Sequence, residues 1–164
     1  MSEEFTITFR EEHRQVRDGL MDLSDAFAAR DGARAGELLG TIAALTGPHF
    51  RYEEETLYPS LVQIFGADYV DSLIDDHDGA IASARRLVEL AGSDLDDAAV
   101  AEAQGLVRGI LPHVSDCDGL SIMVERLSPA EVDAIFAKRA ETLDEGLDLL
   151  TWDDTVRKRP ALAG

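Results

Sequence analysis

The chain is short of the residues that staple a fold or paint it basic. Of its 164 residues only Cys117 is a cysteine, which excludes an internal disulfide framework and a Cys-only structural zinc site. Basic residues are scarce, with 15 Lys and Arg against 33 Asp and Glu and a formal net charge of −18. A surface this acidic repels phosphate, which argues against nucleic-acid or anionic-membrane binding through a basic footprint. No apolar run approaches the roughly 18 residues of a membrane span. The start, Met1-Ser2-Glu3-Glu4, lacks the positive n-region and apolar h-region of a secretory signal. These absences point to a soluble, cytoplasmic protein; a monomer or weak oligomer is expected. Disorder is excluded from the other side, because hydrophobic residues make up 45% of the chain, enough to repay the entropy of ordering. The length fits one domain.

Also nearly missing is the period-2 alternation of strands; apolar residues recur instead at helical spacing. The expected fold is all-α. A first helix is expected from about Thr8 to Arg30, with Phe9, Val16, Leu20, Leu23 and Phe27 on one stripe. A second runs from Ala33 through Leu38, Leu39, Ile42 and Leu45 to Phe65, and Pro48 should bend or restart it. A third spans Ala67 to Leu90 with Val70, Leu73, Ile74, Ile81, Leu87 and Val88 as its apolar face, and a fourth spans Leu95 to Leu127 with Pro112 inside. Ser128-Pro129-Ala130-Glu131 reads as a capping box that starts a fifth, shorter helix, ending near Leu150. Four long helices joined by short turns predict an up-down-up-down four-helix bundle over residues 1–150. Residues 151–164 are expected to form an irregular tail held at most by Trp152, with Arg157-Lys158-Arg159 as a basic cluster.

The chain also matches itself at an offset of 64 residues. His13 maps onto His77 and Pro48-His49 onto Pro112-His113; these are all four histidines, 36 residues apart within each half. Each half is thus a helix pair with one histidine per helix, and a pseudo-twofold axis can bring the four to one level of the core. Glu53 follows His49 by four residues, one turn along the same face. The matching position after His113 is Cys117, with Asp118 one further on and rotated off that face. Buried carboxylates are costly unless paired or bound to metal. Four imidazoles facing a Glu and an Asp therefore read as a binuclear metal site, suited to iron or manganese, with zinc accommodated and calcium or magnesium poorly matched.

This set resembles the hemerythrin-like (HHE cation-binding) family: a His on the first helix, HxxxE on the second, a His on the third and a His-carboxylate motif on the fourth. His49-Phe50-Arg51-Tyr52-Glu53-Glu54-Glu55-Thr56-Leu57-Tyr58-Pro59 is similar to the second-helix signature and Asp76-His77-Asp78 to the third; the likeness covers about residues 8–128. The resemblance implies a four-helix bundle with two non-haem irons bridged by two carboxylates and an oxo or hydroxo group. It implies His13 and His49 on one iron, His77 and His113 on the other, and Glu53 and Asp118 between them. Manganese and zinc rank below iron.

Oxygen carriers of this family hold two histidines one turn apart on the third helix, whereas His77 has Leu73 and Ile81 at those positions. One iron is therefore a nitrogen short. Water, Glu54, Tyr52 and Cys117 are the candidate replacements, and Tyr52, beside Glu53, is the first choice. The rest of Glu53-Glu54-Glu55 and the run Asp94 to Asp97 read as solvated helix surface. A less fully ligated iron exchanges solvent and accepts peroxide more readily. The expected function is an oxidoreductase acting on hydrogen peroxide in a catalase-like reaction of oxidative stress, or on O2 or NO. The competing class is a sensor, carrier or store that binds O2, NO or iron without turnover, and the third is a metal-free helical interaction module.

Overall fold

The computed structural model describes residues 2–160 and Leu162; residue 1 and, from the expected tail, residues 161, 163 and 164 lie outside it. No strand occurs among the described residues, so the protein is all-α. The helices are α1 (Ser2–Ala28), α2 (Gly32–Tyr52), α3 (Tyr58–Phe65), α4 (Ala67–Ala91), α5 (Asp97–Leu120), α6 (Pro129–Glu145) and α7 (Leu149–Thr155), with a π-helical turn at Glu53–Leu57 and a 3-10 turn at Ser121–Arg126. No described helix is long and apolar enough to cross a membrane.

Helix α1 starts earlier than expected because Phe5 extends the buried stripe of Phe9, Val16, Leu20, Leu23 and Phe27. It ends where Arg30 turns to a φ of 57°, and Asp31 then caps α2 by accepting from the Arg34 backbone N–H at 2.9 Å. Helix α1 packs on α2 and α5, and α4 packs on the same two. Val88, expected on the buried face of α4, is 49% exposed.

The four histidines form a polar layer between two apolar clusters. One gathers Phe5, Phe9, Leu61, Ile74, Val124 and Ile135; the other gathers Leu20, Leu23, Leu39, Leu87 and Val107. Each large apolar side chain so buried contributes about 1.5–3 kcal/mol. The polar layer between them contributes nothing of that kind and needs partners of its own.

Three expectations about breaks in the chain are corrected. Pro48 does not restart the second helix, since α2 runs unbroken from Gly32 to Tyr52 with Pro48 inside. The irregularity falls later, at Glu53–Leu57, because Pro59 has no N–H to offer the Glu55 carbonyl and the ladder shifts to i→i+5 bonding. The capping box at Ser128 and Glu131 forms as read, but α6 stops at Gly146, which takes a left-handed φ of 62°. The first part of the tail is not irregular, although residues 157–160 carry no helix. Asp148 caps a further helix, α7, by accepting from the backbone N–H groups of Leu150 and Thr151, and Trp152 on it is buried.

Candidate metal centre

Glu53 sits at the middle of the polar layer with no exposed surface. Its Oε1 lies 3.3 Å from His49 Nε2 and its Oε2 lies 3.1 Å from His77 Nε2. Neither contact has hydrogen-bond alignment, and both carboxylate oxygens are left without a hydrogen-bond partner. Ligand atoms of His13, Glu53 and Cys117 fall within 4.8 Å of one another, and so do those of Glu53, His77 and His113. Glu53 is common to both groups.

Three of the histidines are braced from behind through Nδ1. His13 donates to the Phe9 carbonyl at 2.8 Å. His49 donates to Glu12 Oε2 at 2.8 Å, and Arg139 of α6 pairs with the other oxygen of Glu12 at 2.6 Å. His77 donates to Glu54 Oε1 at 2.9 Å, and Arg157 just beyond α7 holds Glu54. His113 is the exception: its Nδ1 lies 3.5 Å from Asp76 and makes no hydrogen bond. Phe50 stacks on the His77 ring, with centroids 3.7 Å apart and planes within 4°. A metal-binding histidine typically has its second nitrogen held this way, which fixes the tautomer and aims the other nitrogen.

Electrostatics divides the four into two pairs. Burial pushes His13 down to about 4, assisted by the charge of His49. Burial likewise lowers His113, together with the charge of His77. For His49 burial acts downward too, but the Glu53 and Glu12 carboxylates outweigh it and raise the ring to about 10. His77 is raised against burial by Glu53 and Glu54. Burial opposes ionisation of Glu53, yet His49 and His77 hold it well below the usual carboxylate range. In the metal-free chain, then, the carboxylates shift His49 and His77 toward the protonated form, and burial keeps His13 and His113 toward the neutral one.

Asp118 falls outside both three-residue groups. Its Oδ1 is buried and unpartnered, 3.8 Å from Arg10 Nε, and it lines an opening of about 150 Å³ with His13, Arg10, Arg14 and Arg17. Tyr52 donates its hydroxyl to Glu12 at 2.7 Å and lies 3.0 Å from His49 Nδ1, the nitrogen opposite the one that faces Glu53. Glu54 is not solvated surface, as its place in an acidic run suggested: it is buried, held between His77 and Arg157.

Four residues of the site escape sequence reasoning. Glu12, Arg139 and Arg157 act on histidines or carboxylates far along the chain, and no local spacing announces them. Tyr58 could have been found. The i→i+5 bond from its N–H to the Glu53 carbonyl places it one turn below Glu53, and Pro59 was the signal. Its hydroxyl lies 3.1 Å from both His77 Nε2 and Cys117 Sγ.

An all-α protein with four buried histidines arrayed around a shared, unpartnered carboxylate belongs to the helical metal-binding class. The Hemerythrin family, described as the Hemerythrin HHE cation binding domain, matches residues 5–120, and this chain belongs to it. Comparison with curated proteins and with solved structures finds no match. The donor set suits a cation on this chain's own evidence: imidazole nitrogens, a thiol and a buried carboxylate with free oxygens are present and aimed together.

Proposed function

We propose that the chain is a non-haem di-iron protein acting on small oxidants, with hydrogen peroxide decomposition as its leading reaction. Its four ligand-bearing helices would run up-down-up-down as a four-helix bundle. The observation that carries the reading is Glu53, a fully buried carboxylate with two unpartnered oxygens, one toward His49 and one toward His77. We assign His13 and His49 to one iron, His77 and His113 to the other, Glu53 to the bridge, and Asp118, through its unpartnered Oδ1, as the second carboxylate. Two irons held by these residues would supply the two-electron redox chemistry that peroxide decomposition needs.

The chain's own residues do the rest. Glu12 and Glu54 keep the Nδ1 protons of His49 and His77 in place, so that Nε2 presents a lone pair. Burial raises the Tyr58 hydroxyl well above its usual range, so it holds its proton beside the centre. Arg10, Arg14 and Arg17 with Asp118 make a polar mouth at His13 on an otherwise acidic molecule, a route suited to a small polar molecule such as peroxide.

A second reading is O2 or NO binding without turnover. It is favoured by a nearly apolar cavity of about 50 Å³ that touches His13, His49 and His113 and extends past Leu20, Leu39 and Leu87. A dry cavity of this kind takes small apolar molecules. The deciding experiment is iron content per chain on fresh protein, followed by oxygen evolution on adding peroxide. About two irons with sustained oxygen release supports the peroxide reaction. Two irons with a reversible optical change under O2 or NO and no oxygen release moves the function to binding, and no iron after iron-supplemented expression overturns both.

A further inference from the structure

We propose that the Cys117 thiolate is itself a metal ligand of this centre, on the His13 side of Glu53, with Tyr58 as its hydrogen-bond donor. The inference rests on the binuclear reading above and deepens it. Cys117 is fully buried on α5, one turn after His113, with Sγ 3.7 Å from His113 Nε2. Its ligand atom shares a space within 4.8 Å with those of His13 and Glu53. A buried cysteine acting as a small hydrophobe would have only apolar neighbours. This one belongs to the apolar cluster of Phe9 and Ile74, yet its ligand atom also faces a carboxylate, two imidazoles and a phenol.

The independent sign of a ligand there is Glu53, wholly buried and with both oxygens unpartnered in the same space. The other candidate donors are committed elsewhere. Tyr52 gives its hydroxyl to Glu12 behind His49. Glu54 spends both oxygens on Arg157 and one of them also on His77. Tyr58 has a single hydroxyl proton and two neighbours at 3.1 Å, His77 Nε2 and Cys117 Sγ. Once Nε2 gives its lone pair to a metal, the sulfur is the acceptor that remains, and a thiolate accepts better than a thiol.

Formation of the sulfur–metal bond breaks the S–H bond and releases its proton to the buffer; no electron moves and the metal keeps its oxidation state. A thiolate adds a soft donor to a nitrogen and oxygen set, which widens the accepted metals toward zinc and cobalt.

The test uses the full chain loaded with cobalt(II). Because Cys117 is the only cysteine, any sulfur-to-cobalt charge-transfer band in the near ultraviolet belongs to it. The expected result is such a band in the wild type and in the exposed-surface variant Lys158→Gln, its loss in Cys117→Ser with cobalt still bound, and a displaced band in Tyr58→Phe. Two cobalt ions per chain with no sulfur band overturns the thiolate and leaves the binuclear centre standing. Failure to bind cobalt or iron at all overturns the centre and the thiolate with it. Should Cys117→Ser fail to fold, X-ray absorption on the zinc-loaded wild type decides alone: a sulfur neighbour at about 2.3 Å supports the ligand, and only nitrogen and oxygen near about 2.0–2.1 Å overturns it.

Discussion

Arg157 grips Glu54 with two prongs across 103 residues of chain, Nη2 at 2.8 Å from Oε1 and Nε at 3.0 Å from Oε2. Glu54 passes that hold to His77. Arg139 and Glu12 do the same for His49. Both arginines lie beyond residues 5–120, so segments outside the family match set the aim of two candidate ligands.

Arg157→Gln should therefore weaken metal binding without touching a ligand. Loss of such an outer partner typically costs about 10–100-fold in metal affinity. Glu54 is also left as a buried charge without its cation, which destabilises by about 3–5 kcal/mol. Thermal unfolding and iron release to a chelator check both effects, with the neighbouring exposed Lys158→Gln as control. An Arg157→Gln protein that releases iron at the wild-type rate would detach Glu54 from the function of His77.

Glu53→Ala and His49→Ala should each lower bound iron well below two per chain, the first because it removes the group common to both halves of the site. Glu53→Gln should do the same, since an amide leaves the cations without their buried counter-charge. Iron assayed on freshly purified variants settles this, and a full complement in Glu53→Ala would sink the assignment of the bridge.

These candidate ligands were legible in the chain because their signals are local or repeated. A spacing of 36 residues twice over marks His13, His49, His77 and His113, and one helical turn joins His49 to Glu53. The rest was hidden for two physical reasons. Ion pairs such as Arg157–Glu54 form only when distant helices meet, and periodicity carries no trace of them. The π turn shifts the register between Glu53 and Tyr58, so an even count of 100° per residue aims Tyr58 away from the site and draws attention to Tyr52 instead.

Tyr52→Phe should accordingly leave the optical spectrum of the iron-loaded protein unchanged while reducing stability. The lost bond reaches a charged acceptor, Glu12, and such bonds contribute about 1.5–3 kcal/mol. Spectra and melting curves recorded on the same samples test it. Disappearance of a visible band in Tyr52→Phe would show that the hydroxyl turns inward to the metal.

The metal-free chain should be most stable near pH 6.5 and lose stability on both sides. His49 has its pKa raised to about 10 in the folded state, above the ordinary value of 6.5. Its contribution is complete below 6.5 and is lost as pH rises through 10, and His77, raised as well, adds in the same direction. His13 is lowered to about 4, so its contribution is complete above 6.5 and is lost as pH falls through 4; His113 shifts the same way. Melting temperatures in chelator from pH 4 to 10 give the profile. A flat alkaline arm would contradict the buried imidazolium on His49.

Gly47 offers a way to disturb the centre from a distance. A Cβ built there would stand 2.2 Å from the Leu147 carbonyl oxygen, 2.5 Å from Asp148 C and 2.7 Å from Leu149 N, all backbone atoms that cannot rotate aside. Gly47→Ala must therefore push residues 147–149 off α2, and α7 begins there. Trp152 would lose its buried seat and Arg157, which follows α7, would be drawn from Glu54. Overpacking of this kind costs about 1–3 kcal/mol. The variant should melt lower, and its iron should leave faster even though no ligand or outer partner is altered. Glycine at position 40 of the same helix, where a Cβ meets nothing within 4 Å, is the control; Gly40→Ala should leave iron release unchanged and stabilise slightly through helix propensity. Equal iron release from both variants would mean that α7 covers the helices without steering His77.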